Sequence, residues 1–411
     1  MHTTSTHSAA LEHIRTVQRP ATRQSERIKV LHVAETMKGG VGTILRALLE
    51  HQIGVLGKDR VAAVVPDAHV GELGGVADGN LVRFHRAGRD LRSLASMCGT
   101  LHAALGTHRP DIVHFHSTFA GALGRLVALP TRVRETSPRI VYTPHAFPFV
   151  MQCSPLKRRI YGLVEARLAG LTDAIICVSD FEREAAVRVG IRADRLHRIY
   201  NGVPAPQGPT RPPTASKEGP LKLLFVGRFD RQKGLDVLLR AMQRLPVDEF
   251  RLTVIGGAVN DTLGQPQLAN VEYLGWIPHD GLGQYYAEAD VLVMPSRWEG
   301  FALVPLEALS YGLPVVATRC CSMPEVVEHR KTGLLFDVDD DQELARLLHE
   351  TSRQRWALMG QTGKKQVEAR FTNAKMQTVT LELYENVLAR TRRWREPHAV
   401  PIPTGHWPLR S

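Results

Sequence analysis

Short apolar runs recur along the chain, each ending in a turn and followed by a stretch whose apolar residues return every three or four positions. Runs at 28–34, 61–65, 81–85, 111–116, 140–143, 173–179 and 196–200 read as strands. Helical patterns fall between most of them, notably at 91–105, 156–171 and 180–189. The turn Lys38-Gly39-Gly40-Val41-Gly42 leads into a first helix that runs to about Ile53. Near-continuous apolar strands alternating with helices predict a doubly wound parallel sheet.

The alternation breaks once. Residues 203–221 hold the densest Pro, Gly, Ser and Thr run in the chain, which reads as a linker. The pattern then restarts with strands at 221–226, 250–255, 271–274, 291–294, 315–317 and 334–336. A helix at 353–370 follows, and then a long amphipathic run at 373–393 with apolar Met376, Val379, Leu383, Val387 and Leu388. The expected division is a disordered polar tail at 1–27, a Rossmann-like domain at 28–205, a linker at 206–220 and a second Rossmann-like domain at 221–372. A terminal helix at 373–395 and a loose tail at 396–411 complete it. A length of 411 residues suits two cores of roughly 200 residues each.

Composition narrows the class. Hydrophobic residues make up 43% of the chain, and no apolar run approaches the roughly 18 residues of a membrane span. The first 27 residues lack the apolar centre of a secretory signal. Five cysteines, an odd number without C-x-x-C spacing, argue against a disulfide framework and a zinc site, and fit a reducing cytoplasm. Cys320 and Cys321 follow a buried strand and read as small core fillers. A formal charge of +11 suggests an anionic partner: nucleic acid, anionic lipid or a phosphorylated substrate. No aromatic-basic motif appears, which argues against nucleic acid.

The candidate chemistry centres on 290–318, DVLVMPSRWEGFALVPLEALSYGLPVVAT. It reads as strand, loop, short helix and second strand, with the loop 296–301 at the strand's carboxyl end, where open α/β sheets bind ligands. Glu299 lies in that loop and Glu307 in the first turns of the helix. The two carboxylates admit three readings: solvated surface acids, a general acid/base dyad, or a nucleotide-sugar site. In the last, carboxylates accept hydrogen bonds from vicinal hydroxyls while backbone N–H groups at the helix start face phosphate. A dyad leaves the apolar helix between the acids unexplained. Gly300 would let backbone approach a ligand closely. The stretch Glu-Gly-Phe, then Pro-Leu-Glu-Ala, then Gly-x-Pro-Val-Val-Ala resembles the E-x7-E signature of the retaining GT-B glycosyltransferases of family 4, also called group 1. Ala302 stands where the family more often has Gly or Pro.

Other segments fit the same resemblance. Gly227-Arg228-Phe229-Asp230-Arg231-Gln232-Lys233-Gly234 follows a strand and opens a helix, so Arg228 and Lys233 would converge on a helix N-terminus, an anion site by geometry. The alternative is a basic surface loop. The family's second domain begins with G-R-x-x-x-x-K, whose Arg and Lys hold the donor diphosphate; Asp230 and Arg231 then read as solvated. The Gly39-Gly40 turn nearly spells a deviant phosphate loop of partition-type ATPases, but the Lys needed between Gly42 and Thr43 is missing. It matches the family's first-domain loop, under the donor phosphate. His145 follows a strand and is either an ordinary loop histidine or, by the resemblance, a contact to the transferred sugar or acceptor. His114 and His116 share a strand face and could suggest a metal with His145, yet no carboxylate or Cys joins them, and they are expected to line the cleft edge or pack. Gly256, Trp276 and Ile277 resemble base-binding segments, with Trp276 either stacking on the base or covering it.

The resemblance spans about 28–393 and implies two doubly wound domains facing across a cleft, an acceptor side first and a donor side second. It implies transfer of a sugar from a nucleoside diphosphate sugar to an acceptor hydroxyl, with no metal or other cofactor. Arg228, Lys233 and the amides at Gly300, Phe301 and Ala302 would stabilise the leaving phosphate. Glu299 would hold sugar hydroxyls, Glu307 the ribose, and His145 the sugar or acceptor. Basic residues crowd the first domain at Arg83, Arg86, Arg89, Arg92, Arg125, Arg132, Arg134 and Lys157-Arg158-Arg159. With a lipid-linked acceptor they would dock an anionic membrane at its cytoplasmic face. The rival readings are a non-catalytic nucleotide-sugar-binding subunit of a polysaccharide assembly complex, a nucleotide-sugar epimerase and a phosphate-loop ATPase.

Overall fold

In a computed structural model the chain is described at residues 28–88, 90–129, 137–208, 210, 219–257 and 268–395. The expected tails, most of the linker, and Arg89, Arg132 and Arg134 lie outside the described residues. The first sheet contains β1 (Val30–Ala34), β2 (Val61–Pro66), β3 (Leu81–Phe84), β4 (Ile112–His116), β5 (Arg139–Thr143), β6 (Ala174–Cys177) and β7 (Leu196–Arg198). Its order is β3-β2-β1-β4-β5-β6-β7, with every pairing parallel. The second contains β8 (Leu221–Val226), β9 (Phe250–Ile255), β10 (Val271–Gly275), β11 (Val291–Met294), β12 (Val315–Thr318) and β13 (Gly333–Phe336), in the order β10-β9-β8-β11-β12-β13. Both expected doubly wound units are therefore present, and each strand lies within two residues of its expected span.

The helices that cover the sheets explain the apolar runs. β1, β2, β4, β11 and β12 are buried at every position, because helices pack on both sheet faces. The first domain carries α1 (Gly40–Leu56), α2 (Leu91–His108), α3 (Thr118–Val127), α4 (Pro155–Ala169) and α5 (Asp180–Arg188). The second carries α6 (Leu235–Arg244), α7 (Gly283–Glu288), α8 (Leu303–Ser310), α9 (Met323–Val326), α10 (Asp341–Glu350) and α11 (Arg353–Arg370). The final helix, α12 (Asn373–Arg395), returns to the first domain. Gln377 on it donates to the Ala47 carbonyl at 2.8 Å, and the Tyr384 hydroxyl hydrogen-bonds His114 Nδ1 at 2.6 Å.

One apolar cluster runs through both halves, joining Ile44 and Leu45 of α1 to Leu303 and Leu306 of α8 and Tyr384 of α12. Two further clusters fill the other face of each sheet. Phe301 stacks on Tyr200 at a ring separation of 5.3 Å and tilts against Phe371 at 5.9 Å. That aromatic trio brings the carboxyl ends of the two sheets together, where the loops carrying the candidate site meet.

Candidate functional site

The loop after β11 and the loop after β8 are stitched into one surface. Arg297 N donates to the Gln232 carbonyl at 2.8 Å, and Gln232 Nε2 donates to the Trp298 carbonyl at 3.0 Å. This tie sets Lys233 Nζ 2.7 Å from Glu299 Oε1, with the carboxylate buried and the ammonium nearly so. A charge-assisted hydrogen bond of this kind holds both groups in one geometry. Arg228 is half exposed and reaches Asp230 Oδ2 at 3.1 Å and Gln232 Oε1 at 3.0 Å. Asp230 is thus not solvated as the sequence suggested. It pairs with Arg228 and also accepts from Lys233 N at 3.1 Å, closing the loop on itself.

α8 begins immediately beyond. Its N-cap is Ala302, which has no side-chain cap, and its first turn has no acidic residue. The leading N–H groups are therefore unclaimed by side chains, the arrangement that favours an anion. Pro305 is the third residue of the helix, where no intrahelical donor is lost. Glu307 is buried, with Oε1 accepting from His279 Nε2 at 3.0 Å and Oε2 from the Tyr286 hydroxyl at 2.8 Å. Its hydrogen bond raises the His279 pKa, against a smaller effect of burial. Burial first and Glu307 second push the Tyr286 hydroxyl well up.

The turn Gly39-Gly40 opens α1 and lies across from these loops, with Gly40 placed so that a Cβ would touch Leu303 Cδ1 at 3.6 Å. Gly300 is held against the first domain: a Cβ there would meet the His145 carbonyl oxygen at 2.4 Å. Its glycine is required by a backbone–backbone approach between the two halves, rather than by a ligand as the sequence suggested. Gly256, with φ 141°, is likewise demanded by the Gly227 carbonyl, which a Cβ would strike at 1.8 Å. Ile277 packs partly on the core, whereas Trp276 is 71% exposed.

Histidines fill the facing edge of the first sheet. His145 adopts a left-handed φ of 58° two residues after β5, and Ser117 one of 69° directly after β4. His145 Nε2 lies 3.0 Å from His116 Nδ1, His116 Nε2 lies 3.0 Å from His32 Nδ1, and His32 Nε2 lies 2.8 Å from Gln52 Oε1. His114 Nδ1 lies 2.6 Å from the Tyr384 hydroxyl and His114 Nε2 lies 2.7 Å from Thr143 Oγ1. Burial lowers all four pKa values, those of His32 and His145 to about 4, so the rings are neutral at pH 7.

With this geometry in view, comparison with known proteins is direct. The Glycosyltransferase Family 4 description matches residues 38–205, and Glycosyl transferases group 1 matches residues 207–366. An uncharacterized 41.2 kDa protein in the cps region of Klebsiella pneumoniae is 31% identical over 366 residues, which is 87% of this chain and 100% of that one. A D-inositol 3-phosphate glycosyltransferase of Thermobifida fusca is 31% identical over 272 residues, 58% of this chain and 61% of its own length. The fold is similar to that of Anabaena HepE, solved with UDP and glucose, at a TM-score of 0.70 and 20% identity over 87% of this chain and all of that one. The chain belongs to the group 1 glycosyltransferases.

Several residues at the junction of this group 1 glycosyltransferase had no signal in the sequence. Glu325 of α9 accepts from Asp180 N and Phe181 N, both at 2.8 Å, and from the Tyr200 hydroxyl at 3.0 Å, so a second-domain carboxylate caps a first-domain helix. His279 and Tyr286 were likewise unmarked. His32 had a signal, being a polar residue inside an apolar strand, and it pairs in register with His114. His32, His114 and His116 come close enough to suggest a metal. However, both nitrogens of each ring are already engaged in the hydrogen bonds above, so a metal would have to break them. His114 and His116 are buried in the core rather than at a cleft edge.

Proposed function

We propose that this glycosyltransferase is a retaining enzyme that moves a sugar from a nucleoside diphosphate sugar to an acceptor hydroxyl. The observation that carries the reading is the buried Lys233–Glu299 pair beside the uncapped start of α8. Expelling a nucleoside diphosphate leaves an oxocarbenium-like sugar and growing negative charge on the departing phosphate. Arg228, Lys233 and the N–H groups at the head of α8 face that charge, where preorganised donors act most strongly. Glu299 holds sugar hydroxyls once the donor enters, and Glu307, oriented by His279 and Tyr286, holds the ribose. Gly39 and Gly40 leave room for the donor, with Ile277 and Trp276 beside the base. His145 meets the sugar or acceptor. The leaving phosphate takes the acceptor proton on the same face, so no protein nucleophile is required.

Neighbours support this reading. HepE was solved with UDP and glucose, and the cps-region relative fits a role in cell-surface polysaccharide or glycolipid synthesis. The deciding experiment is a transfer and hydrolysis screen across nucleotide sugars. Donor binding without any turnover would favour the non-catalytic subunit instead. No metal takes part in the proposed reaction, so a chelator should leave turnover unchanged; its complete loss would overturn that step.

The proposed place of action is the cytoplasmic face of an anionic membrane. No described helix is long and apolar enough to cross a membrane. α4, however, exposes Leu156, Ile160 and Leu163 by half or more beside exposed Lys157, Arg158 and Arg159. Apolar side chains and basic charge on one surface helix suit an anionic interface. Each cation contributes about 1 kcal/mol near such a surface. The protein should sediment with anionic vesicles at low salt and leave them at high salt, and replacing Lys157, Arg158 and Arg159 with Ser should weaken this while sparing donor binding. Indifference to vesicles at low salt would sink the docking.

A further inference from the structure

The buried histidines form a directed chain. Gln52, His32, His116 and His145 follow one another at 2.8, 3.0 and 3.0 Å, running from the core under α1 to the loop that abuts Gly300. A neutral imidazole carries one proton, so each ring donates from one nitrogen and accepts at the other. The direction of the whole chain is therefore set at its buried end. There the Gln52 carbonyl oxygen faces His32. The Gln52 amide nitrogen on the other side is buried and has no hydrogen-bond partner among the described residues.

An acceptor at Gln52 Oε1 fixes the rest. His32 donates from Nε2 and accepts at Nδ1, His116 does the same, and His145 donates from Nε2 to His116. His145 Nδ1 is left as a lone pair without a partner among the described residues. We propose that His116 and His32 are positioning residues which, with Gln52 at the buried end, hold His145 as its Nε2–H tautomer and present Nδ1 to a carbohydrate hydroxyl. The hydroxyl as ligand rests on the function proposed above; the tautomer does not. The left-handed backbone of His145 shows that its surroundings hold the residue in place, since a non-glycine residue rarely keeps a positive φ otherwise.

The experiment reads the tautomer and the turnover separately. ¹⁵N imidazole NMR of the unliganded protein should show His145 entirely as Nε2–H. Gln52→Met removes the terminal acceptor while keeping volume, so a measurable share of Nδ1–H should appear and kcat should fall about tenfold, the worth of one ordinary hydrogen bond, with KM little changed. Gln52→Glu keeps an acceptor and should restore both the tautomer and kcat. A purely packing role predicts the reverse order, with Met tolerated and a buried carboxylate not. An Nδ1–H signal for His145 in the wild type, or a Gln52→Met protein with unchanged tautomer and kcat, overturns the proposal. If Gln52→Glu fails to fold, the wild-type spectrum and Gln52→Met decide. The expected tautomer in a protein that turns over no nucleotide sugar would count against the proposed reaction and leave the tautomer assignment standing.

Discussion

The two sheets share one strand order through their first six strands, yet their carboxyl edges handle polarity in opposite ways. The first edge buries four imidazoles, which burial keeps neutral, and joins them to one another and to Gln52, Tyr384 and Thr143. The second edge holds charge: Lys233 with Glu299, Arg228 with Asp230, and Glu307 beneath His279. A buried neutral network costs little once every group is satisfied, whereas buried charge persists only when paired. The fold therefore fixes where a site can form, and the residues at each edge decide whether it presents a fixed hydrogen-bond acceptor or an electrostatic field. Three measurements can break or sharpen that contrast.

The largest effect is expected at the charged edge. Lys233→Met leaves Glu299 buried without its partner and should cost about 3–5 kcal/mol of stability in urea unfolding. The double variant with Glu299→Gln should recover most of that loss while remaining inactive. Equal stabilities for the wild type and the single variant would show that the pair is solvated in solution.

Acid should then move the two edges with opposite sign. His32 is fully buried and its pKa is lowered to about 4 by burial. Below the ordinary value of 6.5 the unfolded chain binds a proton that the native ring refuses. Stability is accordingly lost as pH falls from 6.5 towards 4, on the order of 3 kcal/mol from this ring. His279 behaves in the other direction, because its hydrogen bond to Glu307 raises its pKa. Its contribution is complete below 6.5 and is lost as pH rises through the higher native value. NMR titration should find His145 neutral well below pH 6 and His279 protonating above 6.5; a His145 midpoint near 6.5 would erase the distinction.

The smallest effect concerns Glu307. Glu307→Gln keeps shape but removes the charge from a contact to ribose, so donor affinity should fall roughly tenfold with folding little changed. Calorimetry that finds equal affinity would remove Glu307 from donor binding and leave it as a support for His279 and Tyr286.

What the sequence determined by itself is local and periodic. Strand runs, the helix at 353–370, the Gly39-Gly40 turn and the Glu299 to Glu307 spacing are written in residue order, because apolar period and turn chemistry act over a few positions. Groups that meet only when distant strands align were decided by the tertiary structure. His32 and His116 lie 84 residues apart and become neighbours only because β1 and β4 pair in register. Glu325 caps α5 across 145 residues, and Tyr384 reaches His114 across 270. Gly300 shows the difference in a single position. Its place before the helix was readable, but the demand for glycine comes from the His145 carbonyl of the other domain, and no local pattern encodes a contact between two separately folded sheets.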